Sequence, residues 1–208
     1  MHIPMTRRQI LVALAGAALV AALPRFALAQ DAAPEVKEMT MGDPNAPVTL
    51  VEYAMFTCPH CAAFNRDVFP QIKENFIDTG KVKLVFREVY FNKPSLWAAM
   101  LARCAPEERY FGIVDVLFER QADWAAATDP EAMTQKLYSI GRQAGLTDAE
   151  MDACMQDRAL AEALVAEYQK NADADGIDST PTFLIDGKKV DNMPYDEFEA
   201  ALNAALGA

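Results

Sequence analysis

Two cysteines separated by two residues stand directly after an apolar run, and this placement restricts the fold more than any other feature. The run Val48–Met55 predicts a buried strand, and Cys58-Pro59-His60-Cys61 follows two residues later. Beyond Pro59, apolar residues recur at every fourth position, which predicts a helix. These residues are Phe64, Val68, Ile72 and Phe76. A strand, a cysteine pair and a helix N-terminus are therefore expected to follow one another without a break.

The flanking segments predict a βαβ unit. Residues 36–41 indicate a further strand before the turn-forming cluster at 42–47, and residues 81–89 indicate the strand after the helix. Strand, helix and strand at this spacing predict a parallel pair. Pro70 lies inside the predicted helix and should kink it, because proline removes a backbone donor.

The rest of the chain changes from helical to sheet patterns. Residues 93–174 carry apolar stripes at helical spacing, including a capping-box pattern at Thr147–Glu150 and a long helix from about Arg158 to Asp173. Residues 180–185 and 188–190 then predict two strands joined at Asp186-Gly187, a tight-hairpin signature. A final amphipathic helix is expected from Tyr195 to Leu206.

The first 29 residues have the form of a cleavable secretory signal. Arg7 and Arg8 precede an apolar stretch at 10–23, and the small residues Ala27-Leu28-Ala29 suit a signal peptidase. The paired arginines also resemble a twin-arginine signal, but ordinary secretion signals carry two arginines as well, so both routes stay open. We expect an exported protein, located in the periplasm.

The acidic balance of the chain disfavours two classes of partner. Removal of residues 1–29 takes away three of the 19 basic side chains and no acid, which leaves 16 basic against 30 acidic residues and a net charge of −14. Such a surface repels nucleic acid and anionic membranes. No nucleic-acid partner is expected.

The position of Cys58 at a helix start favours its thiolate. Pro59 suits the first helical position, where its missing donor costs nothing. The free N–H groups and the helix dipole then face the Cys58 sulfur and lower its pKa. His60 adds a donor and, when protonated, a positive charge.

Other uses of a Cys-x-x-Cys pair fit the chain poorly. A haem anchor needs histidine after the second cysteine, where Ala62 stands. A zinc site needs four ligands, and His60 is the one histidine left after processing. The same shortage argues against a Cys–His protease. A purely structural disulfide in this short loop remains an alternative.

The chain resembles the DsbA-like branch of the thioredoxin superfamily, the exported thiol–disulfide oxidoreductases. The resemblance rests on Cys58-Pro59-His60-Cys61 after its strand, on the helical insertion, and on Ser179-Thr180-Pro181-Thr182-Phe183. It implies an α/β fold: a thioredoxin-like domain formed by residues 30–92 and 175–208, with an all-helical domain at 93–174 inserted between its βαβ and ββα halves. It also implies a cis bond before Pro181, with Thr180 and Pro181 binding an extended substrate segment beside the disulfide. From composition alone, Pro181 would only mark the entry to a strand.

Glu52 interrupts an apolar strand, and alternation places it on the side of Leu50 and Ala54. The resemblance implies an acid beneath the motif that handles the proton of Cys61. The alternative is a partly exposed acid at a sheet edge.

Cys104 and Cys154 lie on the apolar faces of two inserted helices. In an oxidising compartment a structural disulfide is favoured over two buried free thiols. Extra cysteines in related insertions support that pairing by resemblance.

The expected activity is that of a monomeric oxidase using Cys58 and Cys61, without a metal or organic cofactor. The resemblance implies folding exported proteins with free cysteines as substrates and a DsbB-type membrane protein as reoxidant. A disulfide isomerase or reductase on the same fold is the first alternative. A thioredoxin-fold metal chaperone using Cys58, Cys61 and His60 is the second.

Overall fold

A computed structural model describes residues 34–207, so the predicted signal at 1–29 lies outside the described residues. Its five-stranded sheet has the order β1-β3-β2-β4-β5. Strand β2 runs parallel to β3, while β1, β4 and β5 pair antiparallel with their neighbours. The strands are β1 Met39–Met41, β2 Val48–Ala54, β3 Val82–Glu88, β4 Thr182–Ile185 and β5 Lys188–Val190.

Two helices separate β2 from β3, and one follows β5. Helix α1 spans Pro59–Asp67, α2 spans Phe69–Ile72 and continues into a π-helical turn at Lys73–Ile77, and α9 spans Tyr195–Leu206.

The segment between β3 and β4 is helical. Its helices are α3 Lys93–Cys104, α4 Glu107–Glu119, α5 Gln121–Trp124, α6 Pro130–Gln143, α7 Asp148–Met155 and α8 Arg158–Asp175. The fold class is therefore the expected one, a thioredoxin fold with a helical insertion between its βαβ and ββα halves. The described residues pack as a single compact unit.

The central strand β2 is buried on both faces, which explains its nearly continuous apolar sequence. Leu50 lies opposite Leu84 of β3 and belongs to the main core, which the sheet shares with α1, α9 and the insertion. On the other face, Tyr53 packs in a smaller cluster with Leu184 and with Ala172 of α8. Because β2 is the middle strand, the residues at its carboxyl end are enclosed by neighbouring elements.

The first helix differs from its prediction at Pro70. A single kinked helix was expected, but α1 ends at Asp67 and α2 begins at Phe69. Pro70 lies in the first turn of α2, where no intrahelical donor is needed. The disturbance predicted at Pro70 is therefore confirmed, but it is a one-residue break at Val68 between two helices and not a kink within one helix.

Several local signals match the structure. Asp186 and Gly187 both have positive φ, 47° and 78°, as a tight hairpin turn requires. Thr147 and Glu150 form the reciprocal capping box at the start of α7. Strand β1, in contrast, covers only Met39–Met41 of the predicted 36–41, so its first half is not part of the sheet. Within residues 34–207, no helix combines the length and apolar character needed to cross a bilayer.

Candidate functional site

Cys58 is the N-cap residue of α1, at the carboxyl end of the central strand. Its backbone is extended, with φ −83° and ψ 117°, and Pro59 takes the first helical turn as the sequence predicts. The Cys58 N–H donates to the Met55 carbonyl at 2.9 Å, which closes the turn between β2 and α1. The fold therefore places the Cys58 sulfur beside the free N–H groups at the start of α1.

The surroundings of Cys58 lower the pKa of its thiol to about 5. The Cys61 thiol contributes most, because it hydrogen-bonds to the Cys58 sulfur, and burial opposes this effect. The Thr180 hydroxyl and the backbone N–H groups of Cys61 and His60 lower the pKa further. The Cys58 side chain, as a thiol, accepts no capping hydrogen bond from these N–H groups. The site is therefore built to stabilise a thiolate at Cys58.

Cys61 has the opposite character. It is fully buried in α1, whereas 6% of Cys58 is exposed. Burial raises the pKa of the Cys61 thiol, and the neighbouring Cys58 and Glu52 raise it further. Both cysteines are free in this structure. Of the two sulfurs, Cys58 is the one open to attack, and Cys61 stays protonated when reduced.

Glu52 is buried in the central strand, so the alternative of a partly exposed edge acid is wrong. Only 4% of the residue is exposed, and it lies between Phe86 of β3 and Phe183 of β4. Burial raises the pKa of its carboxyl to about 8. A carboxyl with this pKa can exchange a proton with its surroundings near neutral pH.

Thr180 and Pro181 form the opposite side of the site. Their peptide bond is cis, as the resemblance implies, and β4 begins at the next residue. The Cys58 thiol donates to the Thr180 carbonyl at 3.3 Å. The structure therefore brings together the two motifs that the sequence keeps 122 positions apart.

His60 lies on the exposed surface of the first turn of α1. It acts on the Cys58 pKa through its backbone N–H. Of the two contributions predicted for His60, a donor and a positive charge, the donor is present as this backbone N–H.

Three polar side chains from the segment after β3 hold the turn before Cys58, and the sequence pattern predicts none of these contacts. Asn92 Nδ2 donates to Thr57 Oγ1 at 2.8 Å, and Ser95 Oγ accepts from the Phe56 N–H at 3.1 Å. Gln121 Nε2 donates to the carbonyls of Phe56 and Cys58. Asn92 also caps α3, and this N-cap pattern was the one local signal in the sequence.

A buried ion pair lies where β3 leads into the insertion. Arg103 donates to both carboxylate oxygens of Glu88 at 2.7 Å, and Tyr110 donates to the same carboxylate at 2.7 Å. Glu88 and Arg103 are 15 positions apart in different elements, so no local pattern marked them as partners.

The sulfurs of Cys104 and Cys154 are bonded, 2.10 Å apart, and join the end of α3 to α7. Elsewhere in the part of the chain that the structure describes, no three histidine, cysteine, aspartate or glutamate side chains are grouped as a metal site.

Comparisons with a family model and with curated proteins indicate the same family. A family model described as thioredoxin matches residues 35–204. Disulfide bond formation protein D of Bacillus subtilis is 31% identical over 182 residues, which cover 83% of this chain and 79% of that protein. A putative protein-disulfide oxidoreductase of Rickettsia bellii is 31% identical over 170 residues, covering 81% of this chain. The chain spans 64% of the length of that rickettsial relative.

Solved structures of the same type superpose on most of the chain. Alpha-DsbA1 of Wolbachia pipientis matches with a TM-score of 0.75 and 28% identity, covering 84% of this chain and 93% of that chain. Oxidised BdbD of Bacillus subtilis matches with a TM-score of 0.68 and 27% identity, covering 82% and 94%.

Proposed function

The chain belongs to the thioredoxin superfamily, in its DsbA-like branch, and on this premise we propose that it is a periplasmic thiol–disulfide oxidoreductase that introduces disulfide bonds into other exported proteins. The observation that carries the proposal is the contrast between the two cysteines of one motif. The pKa of Cys58 is lowered to about 5, while that of the buried Cys61 is raised.

This contrast assigns a role to each sulfur. A substrate thiolate attacks the Cys58 sulfur of the oxidised protein, and the Cys58–Cys61 bond breaks with Cys61 as the leaving group. A mixed disulfide between the substrate and Cys58 results. A second substrate thiolate attacks the substrate sulfur of that bond and expels Cys58 as a stable thiolate. The substrate has then lost two electrons, and the Cys58–Cys61 pair has gained them.

The proton that Cys61 needs on leaving has a nearby source. Glu52 couples electrostatically to Cys61, and its pKa of about 8 keeps a large fraction protonated at neutral pH. We therefore assign Glu52 the transfer of a proton to Cys61, and its return when the pair is oxidised again. His60 and Pro59 define the exposed turn beside the reactive sulfur.

Thr180 and Pro181 are proposed to hold the substrate. The Thr180 carbonyl already meets the Cys58 sulfur, and the adjoining backbone at the entry to β4 can pair with an extended peptide. An unfolded exported protein with free cysteines supplies such a segment.

Reoxidation needs an electron acceptor, for which we propose a DsbB-type membrane protein. The protein would act as a monomer, and its export would follow from the signal-like residues 1–29. Net oxidation is favoured over reduction because a thiol of low pKa is a good leaving group, which makes the disulfide more oxidising.

The direction of electron flow is tested by equilibrium with glutathione buffers and by oxidation of reduced, unfolded ribonuclease A. We expect the Cys58–Cys61 disulfide to be more oxidising than that of thioredoxin and to form disulfides in the ribonuclease stoichiometrically. Cys58→Ser should abolish this reaction. Failure to oxidise ribonuclease, together with reactivation of its scrambled form, would indicate an isomerase. Stoichiometric copper binding that survives dialysis would favour a metal chaperone.

A further inference from the structure

The turn that carries Cys58 is held by a buried amide from the insertion. Gln121 begins the short helix α5, and 8% of it is exposed. Its Nε2 donates to the Phe56 carbonyl at 2.8 Å and to the Cys58 carbonyl at 2.9 Å. Both hydrogens of one amide nitrogen are thus used on two carbonyls that flank Thr57.

These two carbonyls set the direction in which α1 leaves the sheet. The Cys58 carbonyl also accepts the first bond of α1, from the Ala62 N–H at 3.2 Å. Holding this carbonyl fixes the first peptide planes of α1, and with them the N–H groups of His60 and Cys61. The direction of those N–H groups determines how well they stabilise a thiolate at Cys58.

The opposite side of the turn is held as well. Ser95 Oγ accepts from the Phe56 N–H and donates to the Val89 carbonyl at 2.9 Å. The hydroxyl therefore uses its one hydrogen and one of its lone pairs. Asn92, Ser95 and Gln121 thus form a polar frame around the turn, and Gln121 is the member that bonds to Cys58 itself.

We propose that Gln121 is a positioning residue of the redox site, whose amide orients the start of α1 so that the helix stabilises the Cys58 thiolate. Among uncharged side chains, only an amide supplies two donor hydrogens from one nitrogen. A carboxylate would place acceptor oxygens beside two carbonyl oxygens, which repel them. An apolar side chain would leave both carbonyls without this hydrogen bond. The proposal rests on the proposed function, because it concerns the reactivity of the same sulfur. It gives the insertion a chemical role beyond covering the sheet.

The test compares Gln121→Met, which keeps the length of the side chain and removes its donors, with the wild type. The thiolate of Cys58 is titrated by its ultraviolet absorbance in the reduced protein. The equilibrium between protein disulfide plus two glutathione thiols and protein dithiol plus oxidised glutathione is measured in parallel. We expect the Cys58 midpoint to rise and the equilibrium to shift 3- to 10-fold toward the oxidised protein.

Thr147→Ala is the matched control, because it removes capping hydrogen bonds of α7 in the insertion but none in the frame around Cys58. It should lower the melting temperature and leave the midpoint and the equilibrium unchanged. If Gln121→Met does not fold, Gln121→Ala, which admits water to both carbonyls, is expected to show the same shift.

A lowered melting temperature with an unchanged thiolate midpoint in the Gln121 variant would overturn the proposal and leave Gln121 a purely structural residue. This result is distinguishable from failure of the proposed function. In that case the wild type itself would not oxidise ribonuclease, whatever the state of Gln121.

Discussion

The carbonyl oxygen of Thr180 lies 3.3 Å from the Cys58 sulfur, across 122 positions of the chain. The contact forms because the central strand β2 ends beside the start of β4, its antiparallel neighbour. The backbone of Thr180 therefore lies directly beside the Cys58 sulfur. Only 6% of Cys58 is exposed, so this contact belongs to a largely buried residue.

The first prediction concerns the acidity of Cys58. Alkylation of the reduced protein by iodoacetamide should titrate with a midpoint of about 5, against ~8.5 for an unperturbed thiol. Cys61→Ala should raise this midpoint, because the Cys61 thiol is the largest contributor to the lowered pKa. A pH series of alkylation rates, followed by mass spectrometry, measures both midpoints.

His60→Ala serves as the control for that experiment. Its side chain is exposed and its backbone N–H is retained, so the midpoint should move less than in Cys61→Ala. A wild-type midpoint near 8 would contradict the thiolate assignment and favour a reductase.

The second prediction concerns the pH dependence of stability through Glu52. Its carboxyl has a pKa of about 8 in the folded protein and an ordinary acidic pKa when unfolded. Folding therefore favours the protonated form, and this group destabilises the fold increasingly as pH rises from 4.5 to about 8. Glu52→Gln lacks this cost, so its advantage in free energy of unfolding should grow over the same range to a few kcal/mol, at most ~5.

Thermal or urea unfolding at pH 4, 6, 8 and 9 measures the difference. Glu119→Gln, at an exposed acid ending α4, is the matched control for replacing a carboxyl by an amide at the surface. A stability difference between Glu52→Gln and the wild type that stays constant from pH 4 to 9 would show that Glu52 titrates normally.

Much of the fold could be predicted because its signals are local. The helix start at Pro59, the Asp186-Gly187 turn and the capping box at Thr147 each depend on residues within four positions of one another. Alternation along β2 placed Glu52 on the correct face, since side chains in a strand change sides at every residue.

The polar contacts between distant elements could not be predicted in this way. Gln121 stands 63 positions from Cys58, and its partners are backbone carbonyls, which carry no sequence signature. Glu88 and Arg103 meet only because the fold brings the end of α3 near the end of β3. Packing of whole elements determines such pairs, so a one-dimensional pattern contains no trace of them.

The third prediction concerns the disulfide of the insertion. Cys104 and Cys154 are 50 positions apart, and the chain-entropy model gives ~4 kcal/mol for closing such a loop. Replacing both cysteines by alanine should lower the free energy of unfolding by roughly 2–4 kcal/mol. The Cys58 midpoint should stay unchanged, since neither cysteine belongs to the frame around that sulfur. Equal stability of variant and wild type, with Cys104 and Cys154 both alkylated in the untreated protein, would mean that the pair is not bonded in solution.

The last prediction concerns the buried pair of Glu88 and Arg103, whose side chains are 4% and 11% exposed. Arg103→Met should cost ~3–5 kcal/mol, because it leaves the Glu88 carboxylate buried with the Tyr110 hydroxyl and no cation. Glu88→Gln in the Arg103→Met background removes the stranded charge, so the double variant should be more stable than the sum of the single losses predicts. Urea unfolding of the four proteins gives the coupling energy.

The exposed pair of Arg158 and Glu162 is the control, and Arg158→Met should barely change stability, since water screens that charge. Additive losses at Glu88 and Arg103 would contradict this prediction, because they would show that the two charges contribute to stability independently of each other.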